Sequence, residues 1–152
     1  MMTKICTLVF LLEGDNILLA MKKRGFGSGR WNGVGGKIEA GETVAQAMIR
    51  ETQEEIMVTP LEFSSVGYLE FAFPDGTTDM AAHVYICTAW DGEPVETEEM
   101  APRWFKISDI PYDRMWQDDQ FWLPQVLNGK TVKGNFVFDK DDTMLSHEVQ
   151  EV

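Results

Sequence analysis

Cysteine and histidine are scarce in this chain of 152 residues, which holds two of each. Cys6 and Cys87 lie inside alternating apolar stretches and make no C-x-x-C spacing, so a zinc ribbon or dithiol redox centre is excluded and reduced core thiols are expected. His83 and His147 have no partner pattern and read as structural or solvated. Positive charge is thin as well: 13 Lys and Arg face 25 Asp and Glu, for a net charge of −12, with no basic cluster. Attraction to a nucleic-acid backbone or an anionic membrane is therefore weak, and neither is the expected partner. A small anionic substrate remains open, because a bound divalent cation reverses the local field. No apolar run reaches the roughly 20 residues that cross a bilayer. The run from Ile5 to Leu12 is followed by Glu13-Gly14-Asp15-Asn16, which is turn chemistry and not a cleavage site. A soluble, cytoplasmic protein is expected, with a single domain over residues 1–152.

Residues 3–12 and 17–22 alternate as β-strands around that turn. Six glycines then crowd the stretch from Gly25 to Gly36, where the backbone can approach a ligand or another strand closely. Residues 43–56 lack Gly and Pro and repeat Val44, Ala47, Met48, Glu51 and Glu55 at three- and four-residue steps, which predicts a helix capped by Thr43. Strands are predicted over 61–73, 83–90 and 103–106, with a turn at Pro74-Asp75-Gly76. A second helix follows at 118–127 despite Pro124, with closing strands at 132–138 and 144–149. Strands in this order around two helices predict an α/β protein, an α/β/α sandwich with a mixed central sheet.

Within the first helix Glu51, Glu54 and Glu55 stand at i, i+3 and i+4, which puts three carboxylates on one face. Like charges so placed repel, and the arrangement suits a hard divalent cation, with oxygen ligands pointing to magnesium or manganese. On spacing alone an acidic solvated face explains it equally well. The segment Gly35-Gly36-Lys37-Ile38-Glu39-Ala40-Gly41-Glu42 just before the helix adds backbone carbonyls for a metal shell and a lysine for a phosphate.

Gly36, Glu42 and Arg50-Glu51-Thr52-Gln53-Glu54-Glu55 fall on the pattern G-x5-E-x7-R-E-U-x-E-E-x-G-U, and the chain here resembles the Nudix hydrolases. Two positions depart from it: Thr52 replaces an aliphatic residue and Met57 replaces a glycine, which puts the exit of the helix in question. The resemblance implies a Nudix fold and water attack on a diphosphate linkage with metal ions offsetting phosphoryl charge. It implies Glu51, Glu54 and Glu55 as metal ligands, joined by a Gly35 carbonyl and by Glu99 from a distant loop. Glu55 would also orient or deprotonate the attacking water, and Arg50 would fix a glutamate.

The group attached to the diphosphate is read elsewhere on such a fold. The stretches 21–33 and 115–124 resemble the MutT-homologue branch of that family, the animal 8-oxo-dGTP diphosphatases, and the likeness runs nearly end to end. It implies a modified purine nucleoside triphosphate as substrate and a monomer. Trp116 offers a flat ring to a purine. Adjacent Asp118 and Asp119, if both face a dry pocket, cannot both ionise cheaply, so the pair can donate and accept. Asn32 can complete base recognition. Further pocket candidates are Thr7, Lys22, Phe26, Val34, Gly35, Gly36, Lys37, Phe71, Phe73 and Met80; for Phe26, Phe71, Phe73 and Met80 core packing explains the residue as well. Phe121 and Trp122 read as structural. Another nucleotide substrate on the same fold, such as ADP-ribose, and a binding module without turnover stand as alternatives.

Overall fold

The computed structural model describes residues 3–73 and 79–152. Among these the elements are β1 (Lys4–Glu13), β2 (Asn16–Lys22), β3 (Trp31–Asn32), α1 (Val44–Ile56), β4 (Thr59–Ala72), β5 (Met80–Asp91), β6 (Met100–Lys106), α2 (Asp119–Leu127), β7 (Val132–Phe138) and β8 (Met144–Glu151). Short 3-10 turns at Ile107–Asp109 and Tyr112–Arg114 lead into α2. The predicted turn at Pro74-Asp75-Gly76 lies outside the described residues.

The strands run β3-β2-β1-β5-β4-β7-β8, with β6 also on β2. Directions are mixed: β1 with β5 and β4 with β7 are parallel, whereas β4 with β5 and β7 with β8 are antiparallel. β1 carries most of its pairing on β5 and meets β2 only at the hairpin end, where Leu12 faces Ile17.

Alternation along the central strands divides the core between two faces. Phe10, Ile17, Leu19, Val84 and Ile86 face one way and pack with Trp122, Leu123 and Val126 of α2. Val9, Leu11, Leu18, Tyr85 and Cys87 face the other and pack with Met48 and Ile56 of α1. A helix on each face of a mixed sheet is the predicted sandwich, and burying Met48 and Ile56 contributes roughly 1.5–3 kcal/mol each.

The start of α1 is fixed by a reciprocal cap. The Gln46 N–H donates to Thr43 Oγ1 at 3.1 Å, and the Thr43 N–H donates to Gln46 Oε1 at 2.9 Å. At its end Met57 takes the left-handed conformation, φ 63 and ψ 33, and its N–H donates to the Gln53 carbonyl. The helix thus exits as it would through glycine, with a side chain that is 62% exposed. Thr52 is buried, and its hydroxyl donates to the Met48 carbonyl at 2.7 Å, so the polar atom is satisfied within the helix.

Three elements differ from the sequence expectation. β3 lies inside the glycine-rich stretch, where Trp31 and Asn32 pair with Met21 and Ala20. β5 begins at Met80, three residues before His83, because its pairing with β1 extends to Lys4. β6 begins at Met100 and runs through Pro102, which an edge strand with pairing only to β2 accepts. No described helix is long and apolar enough to cross a membrane.

Candidate active site

The backbone at Gly35 and Gly36 comes close to β1 and α1 at once. The Thr7 N–H donates to the Gly36 carbonyl at 2.9 Å, and the Gly35 N–H donates to Glu55 Oε2 at 3.0 Å. A Cβ at Gly35 would collide with the Thr7 carbonyl, and one at Gly36 would collide with the Glu51 carboxylate. Glycine here serves close packing of loop, strand and helix.

Arg50 organises the acidic face. It donates from Nε to Glu42 Oε2 at 2.7 Å and from Nη2 to Glu42 Oε1 at 2.9 Å. The same guanidinium donates from Nη1 to Glu51 at 2.9 Å and to Glu54 at 3.3 Å, and from Nη2 to the Lys37 carbonyl at 3.1 Å. The hydrogen bonds from Arg50 hold the Glu42 carboxyl below the usual range. Glu55 is only 5% exposed, and burial, with the charges of Glu51 and Glu99 added, pushes its carboxyl up to about 8. Burial also raises Glu51, against the pull of Arg50. Glu99 is exposed on the loop before β6, with its charge felt at both glutamates.

Among the described residues, no group of three or more His, Cys, Asp or Glu side chains is gathered as a metal cage. Glu51 and Glu54 turn toward Arg50 instead, and Glu55 toward Gly35. The donor chemistry nevertheless fits a hard cation: the side chains offer only carboxylate oxygens, and a buried carboxyl beside two negative charges gains most from a divalent ion.

One cavity of about 780 Å³ brings together thirteen of the fourteen substrate-contact candidates. Thr7, Lys22, Phe26, Asn32, Gly35, Gly36, Lys37, Phe71, Phe73, Met80, Trp116, Asp118 and Asp119 all line it. Val34 does not: its side chain is fully buried on the α1 side, and its backbone pairs with Val9. Cys6, expected in the core, is half-buried and lines the cavity, whereas Cys87 is buried as expected. Five of the chain's cationic residues, Lys4, Lys22, Arg30, Lys37 and Lys140, line the cavity, together with Asp139 and Asp142 besides the buried aspartate pair.

The aromatic wall is more elaborate than the sequence suggested. Trp116 does not present a bare ring: the Arg30 guanidinium lies 4.2 Å from its centroid, and Phe26 stacks on it at 5.1 Å. Arg30 also reaches Asp142 at 3.8 Å, tying the glycine-rich loop to the β7–β8 turn. Gly27, at φ +83, passes so near that a Cβ would stand 3.3 Å from Trp116 Nε1. Phe138 meets the indole edge-on at 5.6 Å. Nothing local in the sequence announces Arg30, Phe138 or Asp142, because chain segments far apart supply them.

Asp118 and Asp119 are each 2% exposed. Asp118 precedes α2 but makes no side-chain cap; its Oδ2 accepts from Trp122 Nε1 at 2.8 Å. Burial raises its carboxyl to about 6, and burial beside Asp118 raises Asp119 well above the ordinary range. Asp119 Oδ2 is buried with no hydrogen-bond partner. Both carboxyls are thus buried side by side in the wall of the cavity. Trp122, read as mainly structural, is core as expected and also lines the cavity, and its i+4 position from Asp118 was the available signal for the second role. Asn32 Oδ1 is engaged by the Gly33 N–H at 2.8 Å, which leaves its amide hydrogens as donors. His83 meets Tyr68 at a tilt, with ring centroids 4.9 Å apart, His147 stacks on Phe121 at 4.0 Å, and neither lines this cavity.

Residues 2–126 match the family model described as the NUDIX domain. The chain is 42% identical to the zebrafish oxidized purine nucleoside triphosphate hydrolase over 150 residues, covering 99% of this chain and 96% of the relative. It is 39% identical to the 8-oxo-dGTP diphosphatase of Escherichia coli over 79 residues, 52% of this chain and 60% of the relative. Among solved structures, the MutT protein of Bacillus halodurans superposes with a TM-score of 0.87 at 25% identity, covering 97% of each chain.

Proposed function

The chain belongs to the Nudix family, and we propose that it hydrolyses modified purine nucleoside triphosphates, such as 8-oxo-dGTP and 2-hydroxy-dATP, to the monophosphate and pyrophosphate. The observation that carries this proposal is one cavity lined both by Trp116, Asp118 and Asp119 and by Gly35 and Gly36, behind which Glu55 and Glu51 stand. The sequence of the zebrafish relative, so named, matches over nearly the whole length.

Base selection is assigned to the first group. The purine stacks in the aromatic wall at Trp116, a contact worth about 1–3 kcal/mol. Ionised Asp118 accepts from base N–H groups, protonated Asp119 donates to a carbonyl, and the Asn32 amide donates at another edge. Lys22 and Lys37 face the phosphates from the cavity wall. Glu51, Glu54, Glu55 and Glu99, with the Gly35 carbonyl, would hold magnesium or manganese, which supplies charge neutralisation at the phosphoryl oxygens. Glu55, whose raised carboxyl would ionise once a divalent cation is held beside it, would then accept the proton of the attacking water, and the Gly35 N–H orients its carboxylate for that task. Arg50 is a positioning residue, since it touches the glutamates and Lys37 backbone.

Sanitising the nucleotide pool is the role this chemistry serves. A cytoplasmic location and a monomeric state are consistent with it and are proposed with it. Steady-state kinetics on a panel of 8-oxo-dGTP, 2-hydroxy-dATP, O6-methyl-dGTP, N6-methyl-dATP, dGTP and ADP-ribose tests the proposal. Modified triphosphates are expected to lead by at least an order of magnitude; preference for ADP-ribose, or binding without pyrophosphate release, overturns it.

A further inference from the structure

A pair of buried carboxyls that shares one proton can place it on either residue, and the two placements read opposite base edges. Something must choose between them. The Trp122 indole is donor-only, fully buried, and aimed at Asp118 Oδ2 at 2.8 Å. Asp119 has no such donor, and its Oδ2 is unpartnered in the wall of the cavity. We propose that Trp122 is a specificity-determining positioning residue: its indole N–H fixes Asp118 as the acceptor and leaves the shared proton on Asp119, aimed at the substrate. This rests on the base-reading role given to the pair above.

The surroundings leave Trp122 as the asymmetric element. Burial acts on both carboxyls alike, while the groups acting on Asp118 are Trp122, a backbone N–H of its own and Asp119. On Asp119 they are burial and Asp118 alone. The Tyr112 phenol, from the 3-10 turn before α2, is pushed up mainly by burial, and Asp119 adds to this only when it is ionised. Lys4, Lys22, Arg30, Lys37 and Lys140 line the same cavity, but none contributes to the balance of either aspartate. The aromatic body of Trp122 packs against Phe10 at 6.0 Å, so the core sets the direction of its N–H. A guanine edge, with two N–H donors and a carbonyl, needs the placement that Trp122 selects; a 2-oxo-adenine edge gains from the other.

The test is an NMR pH titration of the ligand-free protein with ¹³C-carboxyl aspartate and ¹⁵N-indole labels, in wild type and Trp122→Phe. In wild type the Trp122 indole proton should shift with the same midpoint as the Asp118 carboxyl. In Trp122→Phe the Asp118 midpoint should rise by about one pH unit, and the kcat/KM ratio of 8-oxo-dGTP to 2-hydroxy-dATP should fall by roughly tenfold. In an Asp118→Asn background the same substitution should leave that ratio within about a factor of two. If Trp122→Phe does not fold, the wild-type indole titration decides. An indole resonance that stays flat while Asp118 titrates, or an unchanged Asp118 midpoint in the variant, overturns the proposal. Because the titration needs no substrate, its failure is distinct from a failed substrate panel, which would sink the function and leave the proton placement standing.

Discussion

Replacing Asp119 by asparagine should make the protein more stable, and increasingly so as pH rises. In the unfolded chain both aspartates lose their protons near the ordinary value of 3.8, whereas in the folded protein Asp118 holds its proton to about 6 and Asp119 is raised well above the ordinary value. A folded-state value raised above the unfolded one gives stability that is full below the unfolded value and is lost as pH climbs toward the folded one. For Asp118 the rise from 3.8 to about 6 corresponds to about 3 kcal/mol, all lost by neutral pH. For Asp119 the loss also runs at about 1.4 kcal/mol per pH unit, from the ordinary value up to its raised one. Asparagine has no proton to retain, and its amide can donate to Asp118 as the carboxyl did. Asp119→Asn minus wild type should therefore grow by about 1.4 kcal/mol per unit as pH rises above the ordinary aspartate value, while contributions from Glu51 and Glu55 cancel in the difference. Urea unfolding at a series of pH values reads this directly, provided m is unchanged. A difference that is flat with pH would mean Asp119 is ionised in the native protein, and the paired-carboxyl account would fail.

Three further outcomes are expected. Met57→Gly should raise stability by about 0.5–1 kcal/mol in thermal or urea unfolding, because the left-handed exit of α1 costs a side chain more than glycine loses in unfolded entropy; destabilisation would show that exposed Met57 packs usefully. Glu55→Gln should lower kcat by about 10²–10⁴ with KM within a few-fold, since the side chain lies behind Gly35 and not in the base wall; a change confined to KM would contradict its role. Trp116→Ala should weaken nucleotide binding by about 1–3 kcal/mol in calorimetry and also release Phe26 and Arg30, which rest on the indole; unaltered affinity would remove Trp116 from the site.

Much of this architecture was legible from local pattern. The i, i+3, i+4 glutamates and the Thr43 cap lie within one continuous helix, where spacing translates directly into geometry. Asp118 and Asp119 stood out mainly through the family likeness, since adjacency alone reads equally as an exposed cap, and it is their burial that splits their acidities. What the pattern could not show was assembly across distance. Arg30 on Trp116, Phe138 beside it and Asp142 beyond come from three separate segments. The two-residue strand β3 was hidden because glycines flanking Trp31 and Asn32 read as loop. Val34 was grouped with its glycine neighbours, but strand pairing with Val9 turns it into the core. Met57 ran the other way: at this departure from the family pattern the residue itself takes the left-handed conformation that glycine favours, and the cost lies in that one residue.

The most direct check of the central claim is a competition in one tube, with 8-oxo-dGTP and dGTP at equal concentration, magnesium added, and products separated by chromatography. The account predicts 8-oxo-dGMP and pyrophosphate appearing well ahead of dGMP, with both reactions stopped by chelator and restored by fresh magnesium. Equal consumption of the two nucleotides, or release of inorganic phosphate in place of pyrophosphate, would contradict it.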